Sequence, residues 1–145
     1  MIKKIALAFC TLFLLAGCSS SAKHGSNNPQ IMEFENQVGN KVFFSYNSSS
    51  LSQEAQGTLK NQATWLKAHP AFSMVVEGHC DERGTREYNI ALGERRANAV
   101  KHFLTHHGVH KARVETISYG KERPAVVGDN EAAWSKNRRG VTALK

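Results

Sequence analysis

The chain has 145 residues, 41% of them apolar and 21% charged, and a formal net charge of +7. That length and apolar share suit one domain with a modest core and exclude disorder throughout. The basic balance points to acidic polymers or anionic head groups as neighbours, since no interleaving of aromatic and basic residues marks a nucleic-acid surface.

The chain starts MIKKIALAFCTLFLLAGC: Lys3 and Lys4, an apolar run over residues 5–15, then small residues before Cys18. The run is far shorter than the roughly 20 residues a membrane span needs, so it reads as an export signal. Its ending, Leu15-Ala16-Gly17-Cys18, resembles the lipobox of bacterial lipoproteins. That resemblance implies cleavage between Gly17 and Cys18 and lipid on the thiol and new amino terminus of Cys18. The alternative is an ordinary signal cut near Ala16 that leaves Cys18 a thiol. Several acyl chains on one residue exceed the two signals that stable anchoring takes, so the product would stay on a membrane without crossing it. Ser19 after the cysteine, where aspartate is absent, resembles lipoproteins sorted to the outer membrane, with the domain facing the periplasm. Losing Lys3 and Lys4 lowers the formal charge from +7 to +5. Cys10 leaves with the signal and Cys18 is lipidated, so Cys80 stands as a lone thiol in an oxidising compartment.

Residues 1–17 are thus expected to be the signal and 18–40 a lipidated start and flexible tether, for the Ser, Asn, Gly and Pro content is that of a linker. One folded domain fills 41–145. Within it KVFFSY alternates, predicting a first strand over 42–45. Leu51, Ala55, Leu59, Ala63 and Leu66 recur at helical spacing until Pro70 blocks continuation. FSMVVEG, 72–78, predicts a second strand, and a polar loop leads into a helix over 87–107 with Gly108 as its C-terminal cap. VETISYG, 114–120, gives a third strand and RRGVTALK a fourth, with about one helical turn in the intervening loop. The order β-α-β-α-β-β predicts an α/β (α+β) sandwich: two helices packed on one mixed four-stranded sheet.

On the second helix Asn89, Leu92, Arg96, Val100 and Phe103 share one narrow sector, while Arg95, Lys101 and His102 point away. An arginine in a core-facing stripe either lays its stem over apolar surface or meets a carboxylate that offsets its desolvation. The glycine-punctuated loop GHCDERG just upstream presents Asp81 at a strand end. Asp81 can pair a ligand ammonium and Arg96 can grip a ligand carboxylate in a bidentate fork, which together describe a receptor for a zwitterion. If the two instead pair with each other, they form a structural salt bridge.

VVEGHCDERGTREYNIALGERRANAV, SYGKERPAV and AAWSKNRRGV are similar to the OmpA-like domain family from about Val42 to the C-terminus. The resemblance implies an OmpA-like sandwich that binds peptidoglycan noncovalently through meso-diaminopimelate of the stem peptide. The family's aspartate in GH-x-D falls on Asp81 and its arginine before Ala-Asn on Arg96. An acid and a guanidinium would then read the amino and carboxyl groups at the diaminopimelate side-chain end, and a lysine stem peptide would lose the carboxylate contact. Asn89 is expected to steady the loop or touch ligand, Leu92 to form an apolar wall, and Gly78, His79, Arg83 and Gly84 to shape the loop. Ser45, Tyr46 and Asn47 complete the expected pocket. They stand where the family has F-D-x-D, and neither acid is present here. Cys80 replaces a common Thr or Ala, as a small buried thiol or as the seat of a disulfide-linked dimer.

An enzyme would need a nucleophile with its base, a carboxylate pair or a metal-bound water, and no such set is evident. His102 and His106 lie one turn apart without an acid at ligand spacing, so no metal and no cofactor are expected. The resemblance further implies partnership with the periplasmic β-propeller of the Tol envelope system, which serves cell division and envelope integrity. The alternative function is an adaptor that mainly binds such a partner, with weak or no wall binding.

Overall fold

The computed structural model describes residues 27–145. The signal segment, Cys18 and Ser19 lie outside the described residues. The elements run α1 (Pro29–Glu33), a π-helical segment (Phe34–Gly39), β1 (Lys41–Phe43), α2 (Gln53–Ala68), β2 (Met74–His79), α3 (Arg86–His106), a 3-10 turn (Lys111–Arg113), β3 (Val114–Gly120), α4 (Glu131–Asn137) and β4 (Arg139–Leu144). The sheet order is β1-β4-β2-β3: β1 and β2 flank β4 antiparallel, and β2 pairs β3 in parallel. The expected mixed sheet with two long helices is therefore present, with α1 and the π-helical segment added to it and the seven-residue α4 where about one helical turn is expected.

The expected tether over 18–40 needs correction at its C-terminal end. Asn28 caps α1 through its side chain, and Phe34 is fully buried, its ring 5.0 Å from that of Trp65. Gly39, at φ +87°, turns the chain, and its carbonyl accepts from Gln62 Nε2 at 2.7 Å. Burying a phenylalanine and satisfying a carbonyl offset the cost of ordering a polar segment, so Pro29 onward belongs to the folded domain.

Both long helices begin at hydroxyl caps: Ser52 Oγ accepts from Ala55 N, and Thr85 Oγ1 accepts from Tyr88 N. Gly108, at φ +95°, ends the second. The core forms where Ala55, Leu59, Ala63 and Leu66 of α2 meet Ala97, Val100 and Leu104 of α3 over Met74, Val76 and Val114 of the sheet. One buried polar pair crosses it, with Thr142 Oγ1 donating to Gln62 Oε1 at 2.8 Å. The placement of α3 comes from two glycines: a Cβ on Gly78 would overlap the Gly93 carbonyl, and a Cβ on Gly93 would overlap the Ser118 hydroxyl. Helix and strand thus meet backbone to backbone, which carries Arg96, one turn after Gly93, over the C-terminal end of β2.

Candidate functional site

Arg96 is fully buried, and its guanidinium ties two chain segments together. Nε donates to Ser48 O at 2.8 Å, Nη1 to His79 O at 2.8 Å and Nη2 to Ser45 O at 3.2 Å. Three of the five N–H donors of a guanidinium are spent this way. Phe44 lies beneath it, ring centroid 5.2 Å away. Burial pushes the Arg96 pKa down from the ordinary guanidinium value, against the pull of Cys80 and Asp81.

Asp81 is 4% exposed and does not form an ion pair with Arg96. Its carboxylate accepts from Arg83 N and Nε, Arg83 Nη2 and Arg138 Nη1. Burial alone would raise its pKa, but the hydrogen bonds from Arg83 and Arg138 outweigh that and hold the carboxyl below the usual aspartate range. The alternative of a structural salt bridge between Asp81 and Arg96 does not hold; each is held by other groups.

Between them lies a cavity of about 50 Å³, lined by Tyr46, Asn47, Asp81, Arg83, Asn89, Leu92 and Arg96 of the expected set. Cys80, Gly84 and Tyr88 complete it. Asn89 steadies the loop, donating from Nδ2 to the carbonyls of Arg83 and Thr85 at 2.9 Å each. Gly84, at φ +91°, makes the turn a side chain would strain. Ser45, Gly78 and His79 are not part of the lining. Ser45 and His79 serve Arg96 through their carbonyls, and Gly78 seats the helix. His79 is itself buried, with Nε2 3.1 Å from Glu77 Oε2. Cys80 is a buried thiol donating to Asn89 O at 3.2 Å. Among the described residues no group of three or more His, Cys, Asp or Glu is arranged to hold a metal ion.

Arg138, Glu131, Trp134 and the cavity-lining Tyr88 escaped sequence reasoning. Arg138 donates to Phe44 O at 2.9 Å and pairs with both Asp81 and Glu131. Trp134 of α4 covers Arg83 with its ring, 3.9 Å from the guanidinium carbon, opposite Tyr46 at 4.0 Å. The available signal was AAWSKNRRG itself, where a tryptophan on a short helix is followed by two adjacent arginines at the start of a strand.

Comparison with known proteins agrees with this geometry. A family model described as the OmpA family matches residues 43–138. A peptidoglycan-associated lipoprotein of Agrobacterium fabrum is 50% identical over 88% of this chain and 70% of its own length. One of Pasteurella multocida is 46% identical over 97% of this chain and 96% of its own. The crystal structure of the peptidoglycan-associated lipoprotein from Burkholderia pseudomallei superposes with a TM-score of 0.74 at 39% identity, covering 79% of this chain and 98% of that one. The C-terminal domain of Helicobacter pylori MotB, at 20% identity and TM-score 0.69 over 73% of this chain and 84% of its own, shares the fold. The chain belongs to the OmpA family, and its resemblance within that family runs to the peptidoglycan-associated lipoproteins.

Proposed function

We propose that the protein is a nonenzymatic, lipid-anchored tether: Cys18 carries the lipid, the outer membrane holds it, and the periplasmic domain binds peptidoglycan noncovalently. The ligand is the side-chain end of meso-diaminopimelate in the stem peptide, its ammonium directed to Asp81 and its carboxylate to the unspent N–H groups of Arg96 beside Tyr46 and Asn47. One observation carries the reading: a buried carboxylate and a buried guanidinium, unpaired with each other, line one cavity in a chain whose relatives are named for association with this polymer. A two-point contact of charge-assisted hydrogen bonds explains how a single site recognises one amino acid in a repetitive wall. Weak individual sites suffice where many anchored copies face such a wall.

Calorimetric titration of the mature chain carrying Cys18→Ser with a diaminopimelate muropeptide tests it. Heat is expected, with affinity about tenfold or more lower for the lysine muropeptide that lacks the carboxylate. Equal affinity for the two peptides would sink the carboxylate half of the clamp. The absence of both family carboxylates at Ser45 and Asn47 favours a second use of the same face, for the β-propeller of the Tol system. Capture of that partner from envelope extract should then fall when muropeptide is added; capture indifferent to muropeptide would separate the two surfaces.

A further inference from the structure

The Asp81 carboxylate is full. Oδ1 accepts Arg83 N and Arg83 Nε at 3.1 Å each, while Oδ2 accepts Arg83 Nη2 at 2.7 Å and Arg138 Nη1 at 3.3 Å. A carboxylate offers about four lone-pair sites, so a ligand ammonium has nowhere to bond until one donor leaves.

The two arginines are unequal in their freedom to leave. Arg138 is nearly buried, with Nε on Phe44 O at 2.9 Å and Nη2 on Glu131 Oε1 at 2.5 Å. The Arg83 side chain is 29% exposed and is held otherwise by two ring faces, Tyr46 on one side and Trp134 on the other. The loop does not depend on that guanidinium. Arg83 N bonds Asp81, Arg83 O accepts from Asn89, and Lys121 Nζ donates to Gly84 O at 2.7 Å.

We infer that Arg83 is an internal counter-cation, seated on Asp81 between Tyr46 and Trp134 in the free protein and displaced by the ammonium of the ligand, so that it sets the affinity threshold that every ligand of the site must clear. The inference rests on the wall-binding reading above. Its consequence is one common factor off the affinity of every ligand that must displace it. A ligand bringing only an ammonium exchanges one cation on Asp81 for another and gains little. A ligand that also places a carboxylate against Arg96 gains a contact that Arg83 cannot supply. Simple amines, the lysine side chain among them, are therefore left with little net gain, and the preference for the zwitterion is that of the carboxylate contact to Arg96.

Arg83→Gln in the Cys18→Ser mature chain tests this. It removes the cation and keeps the backbone bonds of the loop, and circular dichroism with thermal melting checks the fold. Diaminopimelate and lysine muropeptides are each expected to bind about tenfold tighter, by the same factor, so that the discrimination supplied by the Arg96 contact is unchanged. An independent readout is Trp134 emission in a Trp65→Phe background, where Trp134 is the sole indole. It should change on muropeptide binding with Arg83 present and stay constant in Arg83→Gln. Trp134→Leu removes one face of the seat without touching the cavity and should tighten binding by a smaller factor. If the unmodified chain binds and Arg83→Gln binds equally or more weakly, Arg83 is a ligand contact or a loop support and the inference falls alone. If neither protein binds either peptide, the wall-binding reading fails and takes the inference with it.

Discussion

Two arginines stand at opposite ends of β2, and each donates three hydrogen bonds to backbone carbonyls. Arg113 reaches Phe72 O at 2.8 Å, Leu66 O at 3.0 Å and His69 O at 2.9 Å, locking the turn between α2 and β2. Arg96 reaches Ser45, Ser48 and His79 at the other end. The difference lies in the surroundings. Around Arg113 the support is aromatic: Trp65 packs on Phe34, stacks on His69 at 3.7 Å and meets Phe72 at 5.6 Å. Around Arg96 it is ionic, with Asp81, Arg83, Arg138 and Glu131 linked in a chain beside a cavity. An arginine that caps carbonyls is therefore a fold element in both places. Only the one beside a carboxylate and an opening can also serve a ligand.

Truncating each arginine should expose the contrast most strongly. Arg96→Ala takes the guanidinium donors from three carbonyls and leaves a cavity at a fully buried site, an expected loss of about 4 kcal/mol or more. Arg113→Ala, at a half-buried site open to replacement by water, should cost about 2 kcal/mol and leave muropeptide affinity unchanged. Chemical denaturation and calorimetry on the same samples check both. Comparable losses from the two substitutions would erase the distinction between the ends.

Phe34→Ala attacks the aromatic end from the segment that composition assigned to a tether. A fully buried phenylalanine predicts a loss of about 3 to 4 kcal/mol, whereas a tether residue would register near zero. Urea denaturation decides between them.

Acid should separate the ends with a smaller effect. The folded-state pKa of Asp81 lies below its ordinary value, and that of Glu131 is lowered by its hydrogen bond to Arg138. A carboxylate depressed in this way stabilises the fold above its unfolded pKa, and the contribution drains away as pH falls towards the folded one. The Arg96 end should accordingly lose protection from about pH 4 downwards. Hydrogen-exchange protection factors over residues 81–84, compared with residues 66–74 at pH 5 and pH 3, should show it. Asp81→Asn should flatten the difference.

The two ends also differ in how well the sequence foretells them. The helical wheel picked out Asn89, Leu92, Arg96, Val100 and Phe103; the first four are buried and Phe103 is half-buried against the core, because periodicity is a local property that a packed helix must obey. The third strand runs over 114–120 as the alternation of VETISYG predicts. Pro29–Gly39 escaped because its polar composition is that of a linker, and its order depends on Phe34 finding Trp65, a tertiary contact with no short-range signature. The saturation of Asp81 escaped for the same reason. Arg138 lies 57 positions away in the chain and arrives only through the β4–β2 pairing, in which Arg139 sits opposite His79.

Cys80 offers the finest probe of the ionic end. A thiol near a guanidinium is ordinarily activated, since the cation favours thiolate. Here burial is the largest influence and pushes the Cys80 pKa up; Arg96 pulls it down and Asp81 pushes it up again. The thiol is 3% exposed and donates to Asn89 O. Iodoacetamide should therefore modify the native protein on the order of a hundredfold more slowly than the denatured chain. Asp81→Asn removes one of the upward pushes but not the burial, so native alkylation should quicken only about two- to fivefold. A much larger acceleration would mean that the carboxylate, with the arginines it gathers, is what closes the cavity over Cys80. The ionic end would then be a lid held by charge, unlike the aromatic end, whose packing has no charge to lose.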